Sequence, residues 1–354
     1  MGHLVTILDL TTFPDIDCSE LFARYDMIFS FDIIGIELYN RMNPKPFLWT
    51  FLIDPPIYLD ERLKQINGDV MVSCIDRRHV LYIDKYYKNI PWTCFMPHGG
   101  IAGEIPANIP YKDRKYDVVI FGSLQGLKGI NEVIASLKKD YDPLLSDIVD
   151  SSLLRPDTDL ITIVSDSLAK TGIEFDDEMF CEFMYRIRSV DALRRYYKRS
   201  LLIKELIKNG ISIDIWGTGW DQLTNDLPDS SLLRLHKSVS YEEAKYIMSN
   251  SRILVNDMPP YYEGSHERVF AAMQCSAIVA TDRSTYLEEC FEDDSNILFY
   301  NTDDLTTLAH RINLLLNDDI KANHIIENAL VSSESHTWFC RAAAMLEITD
   351  MIHN

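Results

Sequence analysis

The sequence predicts an α/β protein with parallel sheets in two domains, and three observations carry that prediction. Short β-rich runs alternate with helical segments along the chain, the pattern of strands joined by crossover helices. A length of 354 residues exceeds one compact core and suits two. The β-rich runs at 116–121 and 211–216 pass straight into glycine, the join that doubly wound sheets use at the carboxyl ends of their strands.

In the first domain, residues 1–112, the β-rich runs are 4–8, 27–31, 47–53, 70–74 and 93–96. A break follows at Pro97-His98-Gly99-Gly100, and residues 104–114 carry two prolines without apolar periodicity, which places the linker there. The second domain, 113–335, opens on a strand at 116–121 running into Gly122-Ser123. Residues 131–190 are mainly helical, with a polar interruption at 151–159, and read as an inserted layer. Asp191 is expected to cap a helix that runs through Leu193, Leu202 and Ile207 to Gly210. Its Arg194, Arg195, Lys198 and Arg199 form a basic face, of the kind usually left in solvent.

A strand at 211–216 then meets Gly217-Thr218-Gly219-Trp220. Further strands are expected at 253–255, 277–281 and 297–300, with helices at 240–249, 264–274, 302–316 and 320–330. Residues 336–354 read as a final amphipathic helix.

Composition excludes several classes. A net charge of −20 argues against non-specific binding to nucleic acid, whose phosphates call for a basic surface. The seven cysteines are scattered and form no C-x-x-C pair, so neither a disulfide framework nor a zinc site is indicated. No run approaches the roughly 20 apolar residues of a membrane span, and the first residues lack the basic region of a secretion signal. MGHLVT fits the loose myristoylation pattern but is read as the start of a strand. A cytoplasmic protein, able to associate peripherally with the inner membrane face, is expected.

The segment YYEGSHERVFAAMQCSAIVATD, residues 261–282, concentrates the chemistry. Glu263, Gly264, Ser265, His266, Glu267 and Arg268 are expected on the first turn of a helix, where free N–H groups and the helix dipole attract phosphate. Val269, Phe270, Ala272 and Met273 form the apolar face behind them. With Gly122 and Gly217 also at strand ends, a phosphate-bearing ligand is the combined reading, although each glycine alone reads as a tight turn. The G-x-G-x-x-G fingerprint and the Gly-Lys-Ser/Thr loop are both missing, which disfavours nicotinamide chemistry and ATP hydrolysis.

These motifs resemble the donor-binding half of GT-B glycosyltransferases, especially the bacterial spore-maturation-type and polysaccharide-assembly group. The resemblance rests on Phe121-Gly122-Ser123, on Gly217, Gly219 and Trp220, and on Gly264, Glu267, Arg268, Val269, Phe270, Ala272 and Met273, followed by Thr281-Asp282. His336-Thr337-Trp338 with Arg341-Ala342 resembles the end of such enzymes, where the last helix returns to the N-terminal domain. The likeness spans about residues 116–345 and is thinner before that, resting on 53–56 and 95–99.

It implies two Rossmann-like domains facing a cleft, and transfer of a sugar from a nucleotide diphosphate sugar to a hydroxyl of a glycan or glycoconjugate in cell-envelope polysaccharide biosynthesis. It implies no cofactor and no metal, and a glycan, lipid-linked or protein-linked acceptor. Gly122, Ser123, Lys128, Gly217, Gly219 and residues 264–268 would bind the donor, with Arg268 as counter-charge to the diphosphate.

Retaining enzymes of this fold carry Glu-x7-Glu. Glu263 keeps the first position, Ala271 breaks the second, and Glu267, one turn earlier, is the residue that could supply the carboxylate or simply stabilise the helix start. Retention is the resulting lean. His98 and Asp54 are the candidate acceptor-side bases, while Asp54 before Pro55-Pro56 also reads as a turn residue. Asp15-Ile16-Asp17 and Asp157-Thr158-Asp159 match a metal-binding D-x-D only in letters. A nucleotide-sugar epimerase and a catalytically silent nucleotide-sugar-binding subunit are the competing readings.

Overall fold

The computed structural model describes residues 3–8, 25–101, 109–258 and 260–353. The chain forms two compact units, Met1–Met96 and Pro97–Asn354. In the first, the described strands β1 (Met27–Phe31), β2 (Phe47–Leu52), β3 (Val70–Cys74) and β4 (Trp92–Phe95) pair in parallel in the order β1-β2-β3-β4. Every residue of β2 and β3 is buried, as expected of parallel strands covered on both faces. Residues 4–8 form no strand; Leu4, Val5 and Ile7 are exposed. Strand-forming residue types alone do not make a strand, because the ladder needs a partner edge. Asp15-Ile16-Asp17 lies outside the described residues.

The second unit holds β5 (Tyr116–Phe121), β6 (Ile213–Trp216), β7 (Leu233–His236), β8 (Ser251–Asn256), β9 (Ile278–Asp282) and β10 (Leu298–Tyr300). Their order is β10-β9-β8-β5-β6-β7, with every pair parallel. This is the doubly wound order, and its direction reverses between β5 and β8. Ligands of such sheets lie outside the carboxyl ends of the strands at that reversal. β7 escapes the sequence reading: it is a short edge strand, LRLH, with Arg234 and Leu235 exposed.

Between β5 and β6 the chain inserts the helices Leu127–Tyr141, Leu144–Leu154, Leu160–Thr171 and Asp177–Arg186, ahead of the long helix Ser189–Lys208. The stretch expected to be mainly helical is so, broken at 155–159 where Asp159 caps the next helix by accepting from the Thr162 N–H. Asp191 is not the cap of the long helix. It lies in the first turn, buried.

The division between units falls at Met96 and Pro97, ahead of the expected boundary at residue 112. Hydrogen bonds explain the shift. The His98 N–H donates to Ser265 Oγ, the Gly100 N–H to the His336 carbonyl and the Ile101 N–H to Gln274 Oε1. Tyr111 is buried and donates to the Leu315 carbonyl. The helix Trp338–His353 is likewise grouped with the second unit, and the tail before it is held by His336 stacked on Phe270 at 4.8 Å.

Candidate anion site at the sheet reversal

Backbone geometry builds the floor of the site. Gly122 ends β5 with φ 135, a conformation that L side chains rarely adopt, and a Cβ there would lie 3.4 Å from Arg268 Nη1 and 3.7 Å from Arg199 Nη2. Gly217 serves a different purpose. A Cβ on it would stand 1.9 Å from the Gly122 carbonyl oxygen, because the loops after β5 and β6 close on each other. The Leu124 N–H donates to the Thr218 carbonyl at 2.8 Å, the Thr218 N–H to Ser123 Oγ at 3.1 Å, and Trp220 Nε1 to the Gly122 carbonyl at 2.8 Å. Gly219 is held to glycine in the same way by the Leu124 carbonyl, 2.0 Å from its notional Cβ. Gly217→Ala is accordingly expected to destabilise the second unit by about 3 kcal/mol or more, as backbone clashes do. Urea unfolding would measure it, and a cost below about 1 kcal/mol would contradict this packing.

Over that floor stand arginines from two helices. Arg199 reaches down from Ser189–Lys208 and is buried; its Nε donates to Asp257 Oδ2 at 2.6 Å and its Nη1 to the Ser123 carbonyl at 2.5 Å. Arg268, from the helix Glu267–Gln274, donates through Nη1 to the Phe121 carbonyl. Its Nη2 also lies 2.9 Å from His266 Nε2, while His266 Nδ1 caps the helix by accepting from the Arg268 N–H at 3.2 Å. A neutral imidazole accepts through one nitrogen only, so these two contacts are not both hydrogen bonds. Arg268 thus keeps donor capacity.

Burial pulls the Arg268 pKa down to about 10, with Asp257 opposing and Arg199 and Arg195 adding repulsion. Asp257 is held below the usual carboxylate range: burial would raise it, but Arg199, Arg268 and Arg195 outweigh that. Three guanidiniums crowd one carboxylate. A dianion such as a diphosphate would balance the excess.

The expected solvated face of the long helix is instead the wall of the site. Arg194 and Arg199 are buried, and Lys198 is 15% exposed, 3.2 Å from both Asp157 and Asp282. Tyr197 and Leu201 take the solvent side. The four cations recur at i, i+1, i+4 and i+5, one stripe of a helix. Apolar residues flank that stripe on both sides, and this was the available signal that it is covered.

The helix of residues 261–282 starts later than expected, at Glu267 with His266 as N-cap. Gly264 and Ser265 precede it, both buried. The Gly264 carbonyl accepts from Ser284 Oγ, and Ser265 is committed to His98, whose Nδ1 lies 2.7 Å from the Ser265 carbonyl. Gly264 is not among the positive-φ glycines. Glu263 is half-buried in the loop. Ala271 is 1% exposed, so its position faces packed core.

Burial raises the Glu267 carboxyl pKa, with Tyr241, Trp338 and Arg268 opposing. Lys128 is 91% exposed and 3.9 Å from Glu132, away from the cluster's hydrogen bonds.

His98 stacks beside His266 at 5.7 Å and has its pKa pulled to about 4 by burial, against the Ser265 hydrogen bond, with Arg268 and Arg341 lowering it further. A base that weak is poorly matched to proton abstraction near neutrality. Asp54, in the first unit, is exposed after β2, and its N–H donates to Asp32 Oδ1 at 3.1 Å. Asp32 was not singled out from sequence. It is buried at the end of β1 with φ 47, followed by Ile33 at φ 60, and burial raises its carboxyl pKa against the Asp54 and Ile53 N–H groups. Consecutive left-handed residues, one of them β-branched, mark a strained turn at that strand end.

Asp282 adds a pH dependence. Burial raises its pKa from 3.8 to about 6, against Lys198 and the Met258 N–H and with Asp257 adding to the rise. Folding therefore takes up a proton there. Its contribution to stability is fullest below pH about 4 and is lost as pH rises through about 6. Asp282→Asn should remove that component from the pH dependence of urea midpoints. An unchanged profile would show that Asp282 does not carry it.

Residues 194–347 match the model of the family described as glycosyl transferase-like. No curated protein matches the chain. Among solved structures, the chain is similar to TarM at 12% identity and TM-score 0.54, over 95% of this chain and 57% of that one. It thus spans just over half the length of TarM. It is also similar to HepE from Anabaena, solved with UDP and glucose, at 12% identity and TM-score 0.55, over 94% of this chain and 80% of that one.

The third such structure is the T4 phage BGT with its UDP-glucose substrate, at 12% identity and TM-score 0.53, over 93% of this chain and 81% of that one. The fold is that of the GT-B glycosyltransferases. Among the described residues, no helix is long and apolar enough to cross a membrane.

Proposed function

We propose that the chain is a glycosyltransferase that moves a sugar from a nucleoside diphosphate sugar to a hydroxyl of a glycan or glycoconjugate. The observation that carries this reading is the convergence of Arg199 and Arg268 on Gly122 at the β5/β8 reversal. Support comes from the glycosyl transferase-like match over 194–347 and from neighbours solved with UDP or UDP-glucose. Breaking the bond from the sugar anomeric carbon to phosphate leaves its electron pair on the diphosphate, where fixed guanidiniums stabilise it best. They supply the positive charge that a metal ion would otherwise bring, so the proposed reaction is metal-independent.

Retention is the proposed outcome, on the position of Glu263 in the loop before the His266 cap. The anomeric configuration of the product by proton NMR tests it, and an inverted product would overturn it. Asp54, with Asp32 beside it, is the acceptor-side candidate within the first unit.

Thermal unfolding with nucleoside diphosphates and their sugars tests the donor class. A ligand at 100 times its Kd that binds only the folded chain should add about 2.7 kcal/mol of stability. Absence of a shift with every nucleotide and nucleotide sugar would sink the reading.

A further inference from the structure

Away from the anion site, the chain holds two Asn-Gly pairs, Asn67-Gly68 in the first unit and Asn209-Gly210 in the second. We propose that Asn67 is a site of spontaneous deamidation, through attack of the Gly68 main-chain nitrogen on its side-chain amide, and that the fold withholds Asn209 from the same reaction.

The chemistry belongs to the dipeptide. The Gly68 nitrogen gives up its proton and bonds to Asn67 Cγ, while the Cγ–Nδ2 bond breaks and the amide nitrogen leaves with that proton as ammonia. Water then opens the cyclic imide. Opening at Cγ gives aspartate, and opening at the main-chain carbonyl gives isoaspartate. No oxidant or reductant takes part. Glycine favours the attack because it has no Cβ to obstruct its nitrogen or to restrict the backbone turns that bring it to Cγ.

In a folded chain two conditions control this step: the nitrogen must be free of an acceptor, and the amide must be free to turn toward it. Asn67 meets both. It lies with Gly68 in an exposed loop between the helix Asp60–Leu63 and β3, and Gly68 holds φ 126. Among the described residues no acceptor takes the Gly68 N–H, and the Asn67 side chain makes no hydrogen bond. Asn67 is engaged through its main-chain carbonyl, which accepts from Lys45 Nζ at 2.7 Å.

Asn209 meets neither condition. It ends the long helix, where its Nδ2 donates to the Glu205 carbonyl at 2.8 Å and to Glu205 Oε1 at 3.0 Å. The Gly210 N–H donates to the Ile207 carbonyl at 2.9 Å. Reaction there has to wait until those bonds open together.

The product bears on the first sheet. Asp69, just beyond Gly68, accepts through its carbonyl from the Leu48 N–H at 3.1 Å, at the start of the β2–β3 ladder, and through Oδ1 from Trp92 Nε1 of β4 at 3.0 Å. An isoaspartyl link lengthens the main chain by a methylene immediately ahead of those bonds. In that product the carbonyl now held by Lys45 becomes the new carboxylate, so the charge appears beside a cation.

The full chain, incubated folded or in guanidinium chloride at mildly alkaline pH in heavy-oxygen water, provides the test. Peptide mapping reads the conversion of each asparagine, and methylation by an isoaspartyl methyltransferase with S-adenosylmethionine reads the isoaspartate. In denaturant, where both dipeptides are open, the two should convert at similar rates. In the folded chain Asn67 should convert about tenfold or more faster than Asn209, since only the latter has hydrogen bonds to break first. Asn67 converting as slowly as Asn209 in the folded chain would overturn the inference. Conversion at Asn67 without isoaspartate would overturn attack by Gly68.

Discussion

Arg268→Met is expected to lower donor turnover about a hundred- to a thousandfold, the loss typical of removing one fixed donor from a developing anion. Arg268 meets the floor of the site at the Phe121 carbonyl and stands 3.4 Å from the Cβ position of Gly122, so its charge lies where the proposed reaction would release the diphosphate. Arg268→Lys keeps a charge but not the planar fork, and should recover only part of the rate. Single-turnover kinetics on protein shown folded by circular dichroism would measure both. Wild-type rates in Arg268→Met would remove this arginine from the chemistry.

Arg199→Leu should destabilise the chain by about 3 kcal/mol at neutral pH, because it takes from the buried Asp257 carboxylate its hydrogen-bonded partner and leaves only Arg268 and Arg195 near it. The paired carboxylate has its pKa lowered in the fold, so its stabilising contribution is present above its unfolded pKa of about 3.8 and fades as pH falls below that. In the variant the less well compensated acid takes up a proton more readily, and the penalty should shrink as pH approaches about 4. Arg199→Leu should cost less in an Asp257→Leu background than in the wild type, since the bond to Asp257 is then already gone. Urea midpoints from pH 4 to pH 8 decide it. A penalty that did not depend on Asp257 would refute the pairing.

Much of the scaffold was legible because it depends on local pattern. Strands β5 and β6 announce themselves by apolar runs ending in glycine, and Gly122 and Gly217 indeed end them. The helices before Ser189 were equally plain from their periodicity. The site was legible only in part. Arg268 stood out from sequence, but its partner Arg199 was assigned to a solvated face, since a helix pattern shows which residues share a side and not what lies opposite.

The missing information is long-range. Arg199 meets Asp257 across 58 positions, and Arg268 meets Phe121 across 147. Glu267 depends on the same kind of information: sequence left it between a ligand role and a helix-start role, and its neighbours Tyr241 and Trp338 lie far from it along the chain.

The sheet order also has a consequence for how this chain comes into being. β5 sits at the centre of the second sheet, yet Val118 must wait for Ile213 on one side and Ile253 on the other. As the chain emerges during synthesis, the strand on which the arginines converge is made first and paired late. Its edges stay open while the inserted helices and the long helix are produced. Such delayed pairing is slow and leaves strand edges available for wrong partners. The inserted helices, whose contacts are local, are the part that can form early and shield it.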